Sequence, residues 1–373
     1  MSNSSMLGLI FADNNESVSL PSLCEGRTLG AVPFGGKYRL IDFPLSNMAN
    51  SGIDKIGVII KNNYHSLLDH LGSGKAWGLS RRKGGLILLP PFLKSAGFYD
   101  GKVQILSSLS SFIEKSSEKY VLISECGEVC NFNYRLMLEQ HIKTGADITI
   151  SYKQSENYKN INQPLFLELD ENQRIVDMFI GDKMTSGRQN LSLFSMLIEK
   201  NLLLKLVAAC AGRNKLDFKR DILQSNINNL KIFGYKFDGI DMIIGSLDEY
   251  FNSNMALMES DVRTKLFDKR HPIITKARDD MPAKYGLRSN ITNSLIAAGS
   301  VIEGSVSNCV IFSGVKIGKG SRLSHCIIMQ DTIIGENVDL SYVICDKDSQ
   351  ITFGKSINSQ LFCPVYIKKR SVV

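Results

Sequence analysis

The chain has 373 residues, of which 43% are hydrophobic and 22% charged, with a net charge of +7. These fractions are ordinary for a soluble globular protein, and the length predicts two domains with a substantial core. No apolar run reaches the roughly 18 residues of a membrane span. The sequence lacks a block of basic residues interleaved with aromatic residues, which would indicate nucleic-acid binding. The apolar run near the N-terminus is not preceded by a basic region, as it would be in a secretory signal. We therefore expect a cytoplasmic protein. The positive charge suits anionic small molecules, although a solvated surface is the simpler explanation.

The first half of the chain predicts an α/β domain with a parallel sheet. A first strand is expected at 6–12, and no glycine follows it before Gly26. Turn residues then precede a short helix, which Ser46 and Asn47 are expected to cap and residues 50–52 to end. A buried strand is expected next, at 55–60. This succession of strand, turn, helix and strand is typical of parallel α/β folds.

The larger domain is predicted to contain further strands and helices, and it contains one pair of nearby cysteines. The predicted strands lie at 84–92, 120–124 and 147–152, and the predicted helices at 61–71, 134–143 and 248–259. Eight cysteines are scattered along the chain, and only Cys126 and Cys130 lie close together. Without a second pair or nearby histidines, this spacing is a poor zinc site, so we expect buried free thiols.

The C-terminal part has a different periodicity. Short apolar pairs such as Leu295-Ile296, Val310-Ile311 and Ile327-Ile328 recur at intervals of about 15 to 17 residues, the scale of a β-helix coil built from hexapeptide steps. The charged stretch before them contains Pro272 and Pro282. We therefore predict a larger domain at 1–258, a linker at 259–290 and a β-helix at 291–373.

One long segment carries a specific resemblance. Residues 33–47 read PFGGKYRLIDFPLSN and are followed by NSGID at 50–54. This text resembles the signature of glucose-1-phosphate adenylyltransferases, also called ADP-glucose pyrophosphorylases, which convert ATP and glucose 1-phosphate into ADP-glucose and pyrophosphate. The resemblance implies a Rossmann-like nucleotidyltransferase domain with a mostly parallel sheet, followed by a left-handed β-helix. It also places the chain in glycogen biosynthesis.

The same resemblance implies that the catalytic residues are missing. The two aspartates that bind the catalytic Mg²⁺ in the family align with Gly127 and Ile243. A family lysine that neutralises phosphate charge aligns with Leu29, and the glycine-rich phosphate loop after the first strand is replaced by polar residues. Because Mg²⁺ tolerates displaced ligands poorly, we expect no catalytic residue and no metal or other cofactor bound by this chain.

A residual ligand pocket is expected from three other positions. Residues 72–77 resemble a nucleotide-side segment of the family, which assigns Trp77 to the pocket, with a role in the core equally compatible. Tyr99 and Gly101 match a motif near the reactive phosphates. The family's sugar-binding lysine is not clearly present, since Lys183 matches only with a gap.

The combined pattern resembles the GlgD-type subunit, a non-catalytic partner of the catalytic GlgC-type subunit, which uses the Mg²⁺. The resemblance implies a hetero-oligomer, expected to be a tetramer, with homo-oligomers also possible, and a phosphorylated metabolite as effector. Five cations match or adjoin the family's effector site: Arg27, Arg39, Lys368, Lys369 and Arg370. The alternative interpretation is that they are ordinary surface cations.

Two other functions stay open at the level of sequence. The chain is an active sugar-nucleotide pyrophosphorylase if Asp13, Glu128 or Asp241 builds an unconventional metal site. It is a free-standing sensor if it binds a nucleotide or sugar phosphate without acting on an enzyme partner.

Overall fold

The computed structural model describes residues 5–13, 20–81, 84–90, 101–155, 161, 163–181, 188–213, 215–360 and 363–373. Within these residues, nine strands form one large sheet in the N-terminal domain. No helix in the described parts of the chain combines the length and apolar character that a membrane span requires.

The elements of the N-terminal domain alternate between strands and helices. The strands are β1 (Met6–Phe11), β2 (Pro33–Phe34), β3 (Tyr38–Arg39), β4 (Lys55–Ile59), β5 (Gly85–Leu89), β6 (Tyr120–Glu125), β7 (Glu128–Cys130), β8 (Ile148–Ser155), β9 (Leu165–Leu169), β10 (Ile175–Ile180), β11 (Gln189–Glu199), β12 (Ile232–Lys236) and β13 (Asp241–Ile243). The α-helices are α1 (Pro21–Cys24), α2 (Asp42–Asn50), α3 (His65–Leu71), α4 (Lys102–Ser108), α5 (Ser110–Glu114), α6 (Tyr134–Thr144), α7 (Lys200–Ala211), α8 (Leu247–Ala256) and α9 (Ser260–Leu266), and a π-helix spans Phe218–Leu223.

The centre of the large sheet is parallel, as the sequence predicts. Strands β6, β1, β4 and β5 are neighbours in that order and all run the same way, whereas β11 adds antiparallel pairing beyond β6. Every residue of β1 is buried. Alternate side chains of a strand point to opposite faces of its sheet, so Met6 and Ile10 enter one apolar cluster while Leu7, Leu9 and Phe11 enter the other.

Helix α2 begins earlier than the sequence indicates. It starts at Asp42, and Pro44 is accommodated in its first turn, where a missing N–H costs nothing. Ser46 and Asn47 are therefore not caps but buried residues inside the helix. The Ser46 hydroxyl accepts the N–H of Ile274 at 2.8 Å, and the Asn47 amide donates to the carbonyl of Cys130 at 3.0 Å. These polar side chains form hydrogen bonds with other segments of the chain and do not cap the N–H groups of the first turn of α2.

The C-terminal domain is a parallel β-helix of three sheets, which confirms the predicted fold class. Each coil contributes one strand to each sheet, and every pair between coils is parallel. Buried apolar side chains from all three sheets fill its interior. The three sheets are β14 (Lys284–Tyr285), β17 (Val301–Ile302), β20 (Lys316–Ile317), β23 (Ile333–Ile334) and β26 (Gln350–Ile351); β15 (Asn290–Thr292), β18 (Ser305–Ser307), β21 (Arg322–Ser324), β24 (Asp339–Ser341) and β27 (Ser356–Asn358); and β16 (Leu295–Ile296), β19 (Val310–Ile311), β22 (Ile327–Ile328), β25 (Val343–Cys345) and β28 (Val365–Ile367).

The boundary between the domains differs from the predicted one. Strand β14 pairs with β17, so the β-helix already begins at Lys284, inside the predicted linker. Helix α9 occupies the first part of that linker. The remainder packs on the N-terminal domain through Ile274, whose carbonyl accepts the Trp77 indole N–H at 3.2 Å.

A buried ion pair joins the two domains. Nη2 of Arg27 donates to Oδ2 of Asp346 at 2.5 Å, and the two side chains are only 4% and 1% exposed. Tyr366 donates its hydroxyl to the same Oδ2 at 2.6 Å, and the backbone N–H of Lys347 binds Oδ1 at 2.7 Å. The Asp346 carboxylate is therefore fully enclosed by donors, one of which comes from the N-terminal domain.

Removing one partner of this pair should destabilise the protein strongly. Asp346→Ala leaves Arg27 buried and uncompensated, and we expect a loss of about 3–5 kcal/mol in the free energy of unfolding. The matched control is Asp238→Ala, because Asp238 pairs with Lys236 at 3.3 Å on the exposed surface, and its effect should stay within about 0.5 kcal/mol. Urea denaturation of both variants measures the difference, and equal losses would contradict a role for the Arg27–Asp346 pair as the joint.

Candidate functional site

The structure brings the two expected metal positions together. Strands β7 and β13 pair antiparallel, with Ile243 opposite Glu128. The next residue, Ile244, donates its N–H to the carbonyl of Gly127 at 2.8 Å. Gly127, in the turn between β6 and β7, thus lies next to Ile243 at the end of β13, and neither residue has a side-chain oxygen.

Two carboxylates near these positions are each paired with a lysine. The Lys102 ammonium at the start of α4 contacts Oε1 of Glu125, and both side chains are largely buried. The Lys153 ammonium contacts Oδ1 of Asp241 and also donates to the carbonyl of Gly239 at 2.9 Å. The chain therefore supplies its own cations at the carboxylates that a divalent ion would need.

Glu128 is a third carboxyl group of this region, and its environment favours the neutral form. Its side chain is buried, and Oε2 accepts the N–H of Phe194 at 3.1 Å. Burial, together with the negative charge of Asp241, raises the pKa of Glu128 to about 8. At neutral pH Glu128 is thus a protonated acid and a weak ligand for a cation.

Asp13 lies where the family's phosphate loop would begin. Its Oδ2 accepts the backbone N–H of Lys61. Burial raises the pKa of Asp13 to about 6, while the Lys61 amide lowers it. Asp13 closes the end of the strand pair β1–β4 with a carboxyl group, which would repel a triphosphate when ionised.

Leu29, at the phosphate-lysine position, is a core residue. It begins a single 3-10 turn, Leu29–Ala31, and is only 1% exposed. The adjacent Gly30 donates its N–H to the carbonyl of Ala12 at 2.8 Å and so fixes the turn against the end of β1. A leucine here strengthens the apolar cluster and offers no charge to a phosphate.

The cavity at this edge of the sheet is small and mostly apolar. It measures about 70 Å³, whereas pockets for small molecules usually span roughly 300–1,000 Å³. Among the described residues on its wall, Lys102, Glu125 and Lys219 are the charged ones, and the larger part of this lining is aliphatic or aromatic, including Phe11, Leu106, Leu193 and Phe218. A hexose needs hydrogen-bond partners around its ring, and this lining supplies few of them.

The two predicted pocket residues that the structure describes, Trp77 and Gly101, do not line this cavity. Trp77 is only 5% exposed, packs against His70 and binds Ile274, so it is a core residue and does not line the cavity. Gly101 precedes α4, where a Cβ atom would approach the carbonyl oxygen of Leu216 to 2.3 Å, so a close backbone contact explains the glycine. Tyr99 and Lys183 lie outside the described residues.

Cations meet at the boundary between the two domains. Arg39 donates to the carbonyl and hydroxyl of Ser66, and burial lowers its pKa to about 10, with Asp42 opposing this shift and Arg27 adding to it. Lys347 was not predicted from the sequence. Burial, together with the positive charges of Arg39, Arg27 and Lys369, lowers the pKa of Lys347 to about 7, and the Asp346 carboxylate opposes this shift. We call Arg27, Arg39, Lys347 and Lys369 the interdomain cation cluster.

The other predicted effector residues have different surroundings. Lys368 pairs with Glu25 at 3.1 Å and Arg370 with Asp348 at 3.7 Å, and all four side chains are exposed. Arg27 is buried and bound to Asp346, so it belongs to the ion pair that joins the two domains. Of the five predicted cations, Arg39 and Lys369 are the ones that an incoming anion can reach without breaking an ion pair seen among the described residues.

Comparison with known proteins identifies the class that this fold and site define. The family model "Nucleotidyl transferase" matches residues 21–175, and "GlmU-like, C-terminal hexapeptide" matches residues 281–361. The chain is therefore a nucleotidyltransferase-type protein with a hexapeptide β-helix, as the sequence predicts.

Full-length relatives narrow this class further. The glycogen biosynthesis protein GlgD of Bacillus subtilis is 34% identical over 87% of this chain and 84% of its own length, and that of Geobacillus stearothermophilus is 36% identical over 86% and 83%. The glucose-1-phosphate adenylyltransferase of Geobacillus stearothermophilus is 32% identical over 81% and 79%. The chain belongs to the family of glucose-1-phosphate adenylyltransferases and GlgD proteins.

The Mg²⁺ that the resemblance implies does not fit the residues present. Mg²⁺ requires near-octahedral oxygen ligands, but Gly127 and Ile243 provide none from their side chains. Glu125 and Asp241 are bound to lysines. Among the described residues there is also no group of three or more histidines, cysteines, aspartates or glutamates arranged to hold a metal ion.

The buried acid Glu128 generates a pH-dependent prediction. Its pKa is about 8 in the folded protein and near 4.5 in an unfolded chain, so stability should fall as pH rises from 5 to 8, because folding then requires proton uptake. Glu128→Gln mimics the protonated acid and should become more stable than the parent by about 2–4 kcal/mol at pH 8, with little difference at pH 4 to 5.

Urea unfolding at several pH values measures this effect. The matched control is Glu139→Gln on the exposed face of α6, which should shift stability by less than about 0.5 kcal/mol at every pH. A gain for Glu128→Gln that does not grow with pH would show that Glu128 is ionised in the folded protein.

Proposed function

We propose that this chain is a regulatory, largely non-catalytic subunit of cytoplasmic ADP-glucose pyrophosphorylase in glycogen biosynthesis. In this proposal it assembles with a catalytic GlgC-type subunit, in a tetramer, and modulates the formation of ADP-glucose and pyrophosphate from ATP and glucose 1-phosphate. A phosphorylated metabolite acts as effector. Mg²⁺ belongs to the catalytic partner.

The observation that carries the proposal is the state of the paired strands β7 and β13. The residues at the metal positions, Gly127 and Ile243, have no ligand atoms in their side chains, and the acid between them, Glu128, is buried with a raised pKa. A bound metal ion contributes several kcal/mol to the transition state, and each 1.4 kcal/mol is about tenfold in rate. Retained catalysis would require a replacement of comparable strength.

The alternative of an unconventional active site has weaker support. Its three candidate carboxylates are each engaged elsewhere: Asp13 binds the Lys61 amide, Asp241 binds Lys153, and Glu128 favours the neutral form. Freeing any of them costs an existing interaction before a metal ion is gained.

The interdomain cation cluster supports the regulatory part of the proposal. Arg39, Lys347 and Lys369 present positive charge at the boundary where the β-helix meets the N-terminal domain, next to the Arg27–Asp346 joint. An anion bound there contacts groups from both domains, so it can favour one relative arrangement of the domains over another, which is the requirement for allostery.

The test compares this chain alone, a catalytic subunit alone and the mixture. We expect this chain alone, with ATP, glucose 1-phosphate and Mg²⁺, to form ADP-glucose more than about a thousandfold more slowly than the catalytic subunit. The mixture should differ from the catalytic subunit in rate or in response to phosphorylated metabolites. Robust Mg²⁺-dependent synthesis by this chain alone would overturn the proposal, and so would a mixture identical to the catalytic subunit.

Two substitutions in this chain distinguish its vacated site from its regulatory site. Asp241→Asn removes the carboxylate paired with Lys153 and should leave the rate of the mixture within about twofold, because no step depends on it. Arg39→Ala removes a charge of the interdomain cation cluster and should weaken the effector response of the mixture by about tenfold or more. If this chain alone forms ADP-glucose and Asp241→Asn abolishes that synthesis, the active-site alternative is correct.

A further inference from the structure

One corner of the β-helix contains a turn that is two residues shorter than its neighbours. Residues 286–289 connect β14 to β15 and residues 318–321 connect β20 to β21, whereas only 303–304 connect β17 to β18. The strands on both sides of the corner keep their parallel pairing through all three coils. Because neighbouring strands lie about 4.8 Å apart, the short turn leaves a recess about one strand wide between the turns of the first and third coils.

We call this recess the corner notch. Residues 285–288 form one wall, 303–305 the floor, and Lys319, Gly320 and Arg322 the other wall. A Cβ atom on Gly304 would lie 2.5 Å from the carbonyl oxygen of Ser321, so the short turn packs directly on the backbone of the next coil. The notch is therefore a property of the backbone and does not depend on the conformation of one side chain.

The corner notch has the size of a ligand site and is separate from the boundary between the domains. Its volume is about 800 Å³, within the range of roughly 300–1,000 Å³ that is usual for small-molecule sites. The β-helix packs on the N-terminal domain through its third sheet, since Val310, Ile327 and Ile344 belong to the apolar cluster of that domain. The notch lies at the corner between the other two sheets, so it does not include the interdomain cation cluster.

Positive charge is concentrated around the notch. Arg288 on one wall and Lys319 and Arg322 on the other are exposed, while Glu303 on the floor is half-buried. Asp339 is the cross-strand neighbour of Arg322 in the following coil. Within the described ranges of the chain, none of these five side chains forms an ion pair within 4 Å. Guanidinium groups suit phosphate oxygens, which they can bind in a bidentate manner.

Two exposed apolar side chains border the same recess. Tyr285 is 54% exposed and Leu287 is fully exposed. Tyr285 is in register with the buried Ile302 of the next coil, but β14 is the end strand of its sheet, so no further coil covers the tyrosine ring. An exposed tyrosine can stack with a flat ring of a ligand.

We propose that the corner notch binds a nucleotide, with its phosphates between Arg288, Lys319 and Arg322 and its base stacked on Tyr285. Three cations against one carboxylate on the lining complement the negative charge of a nucleoside diphosphate. The Glu303 carboxylate accepts hydrogen bonds from the ribose hydroxyls. The site lies outside the anion site of the proposed function, and nucleotide binding here does not depend on that function.

Isothermal calorimetry on the full chain tests the two halves of this ligand separately. ADP, pyrophosphate and adenosine are titrated at low salt with a chelator, so that no metal ion contributes. We expect ADP to bind about tenfold more tightly than pyrophosphate, because stacking adds to the phosphate contacts, and adenosine to bind most weakly. Failure of the parent chain to bind ADP, or equal affinities for ADP and adenosine, would overturn the proposal.

Single substitutions connect the binding to the notch. Arg322→Ala and Lys319→Ala should each weaken ADP and pyrophosphate by about tenfold. Tyr285→Leu should weaken ADP several-fold and leave pyrophosphate within about twofold. The matched control is Lys355→Ala, because Lys355 is an exposed lysine in the corresponding turn of the fifth coil, outside the notch. It should leave both affinities within about twofold.

Lengthening the short turn separates the shape of the notch from its charge. Insertion of Asn-Gly between Glu303 and Gly304 gives this turn the length of its neighbours and fills the recess, while every cation stays in place. Binding of ADP should be lost, with circular dichroism and the urea midpoint confirming an intact fold. If the inserted chain does not fold, the single substitutions decide. ADP affinity that is unchanged in Arg322→Ala and Lys319→Ala would show that the nucleotide binds elsewhere and would overturn the inference.

Discussion

A charge taken out of water has to be neutralised by an opposite charge or by a proton, and this constraint organises the whole site. Glu125 and Asp241 are neutralised by lysines, Glu128 by a proton, and Asp346 by Arg27 from the other domain. The four solutions differ in consequence. The lysine pairs and the proton neutralise the three carboxyl groups of the site without a metal ion. The pair with arginine holds the two domains together.

The sequence was sufficient for the fold because its periodicities are local. Apolar pairs at intervals of one coil predict the β-helix, and the strands β1, β4, β6 and β8 lie within a few residues of their expected positions. The prediction for the start of α2 was wrong because Ser46 and Asn47 are typical capping residues. Their hydrogen-bond partners, Ile274 and Cys130, are distant in the chain. Propensity cannot distinguish a cap from a buried tertiary hydrogen bond.

The site was only partly predictable for the same reason. Gly127 and Ile243 could be identified from the motifs around them, and the structure places them side by side. The lysines that pair with Glu125 and Asp241 could not be identified, because Lys102 lies 23 residues from Glu125 and Lys153 lies 88 residues from Asp241. Lys347 carries no local signal at all, since its neighbours Arg27 and Arg39 come from the opposite end of the chain. The position of Lys347 beside these arginines arises only when the two domains are assembled.

Helix α2 gives the family's signature segment a structural role that does not depend on catalysis. Its buried side chains Ser46 and Asn47 reach the linker at Ile274 and the strand β7 at Cys130, and Ser51 at its end receives the N–H of Tyr134. The helix is thus hydrogen-bonded to three separate segments of the subunit. Because these contacts determine the shape of the folded subunit, substitutions in this segment are expected to be disfavoured whether or not the subunit catalyses a reaction.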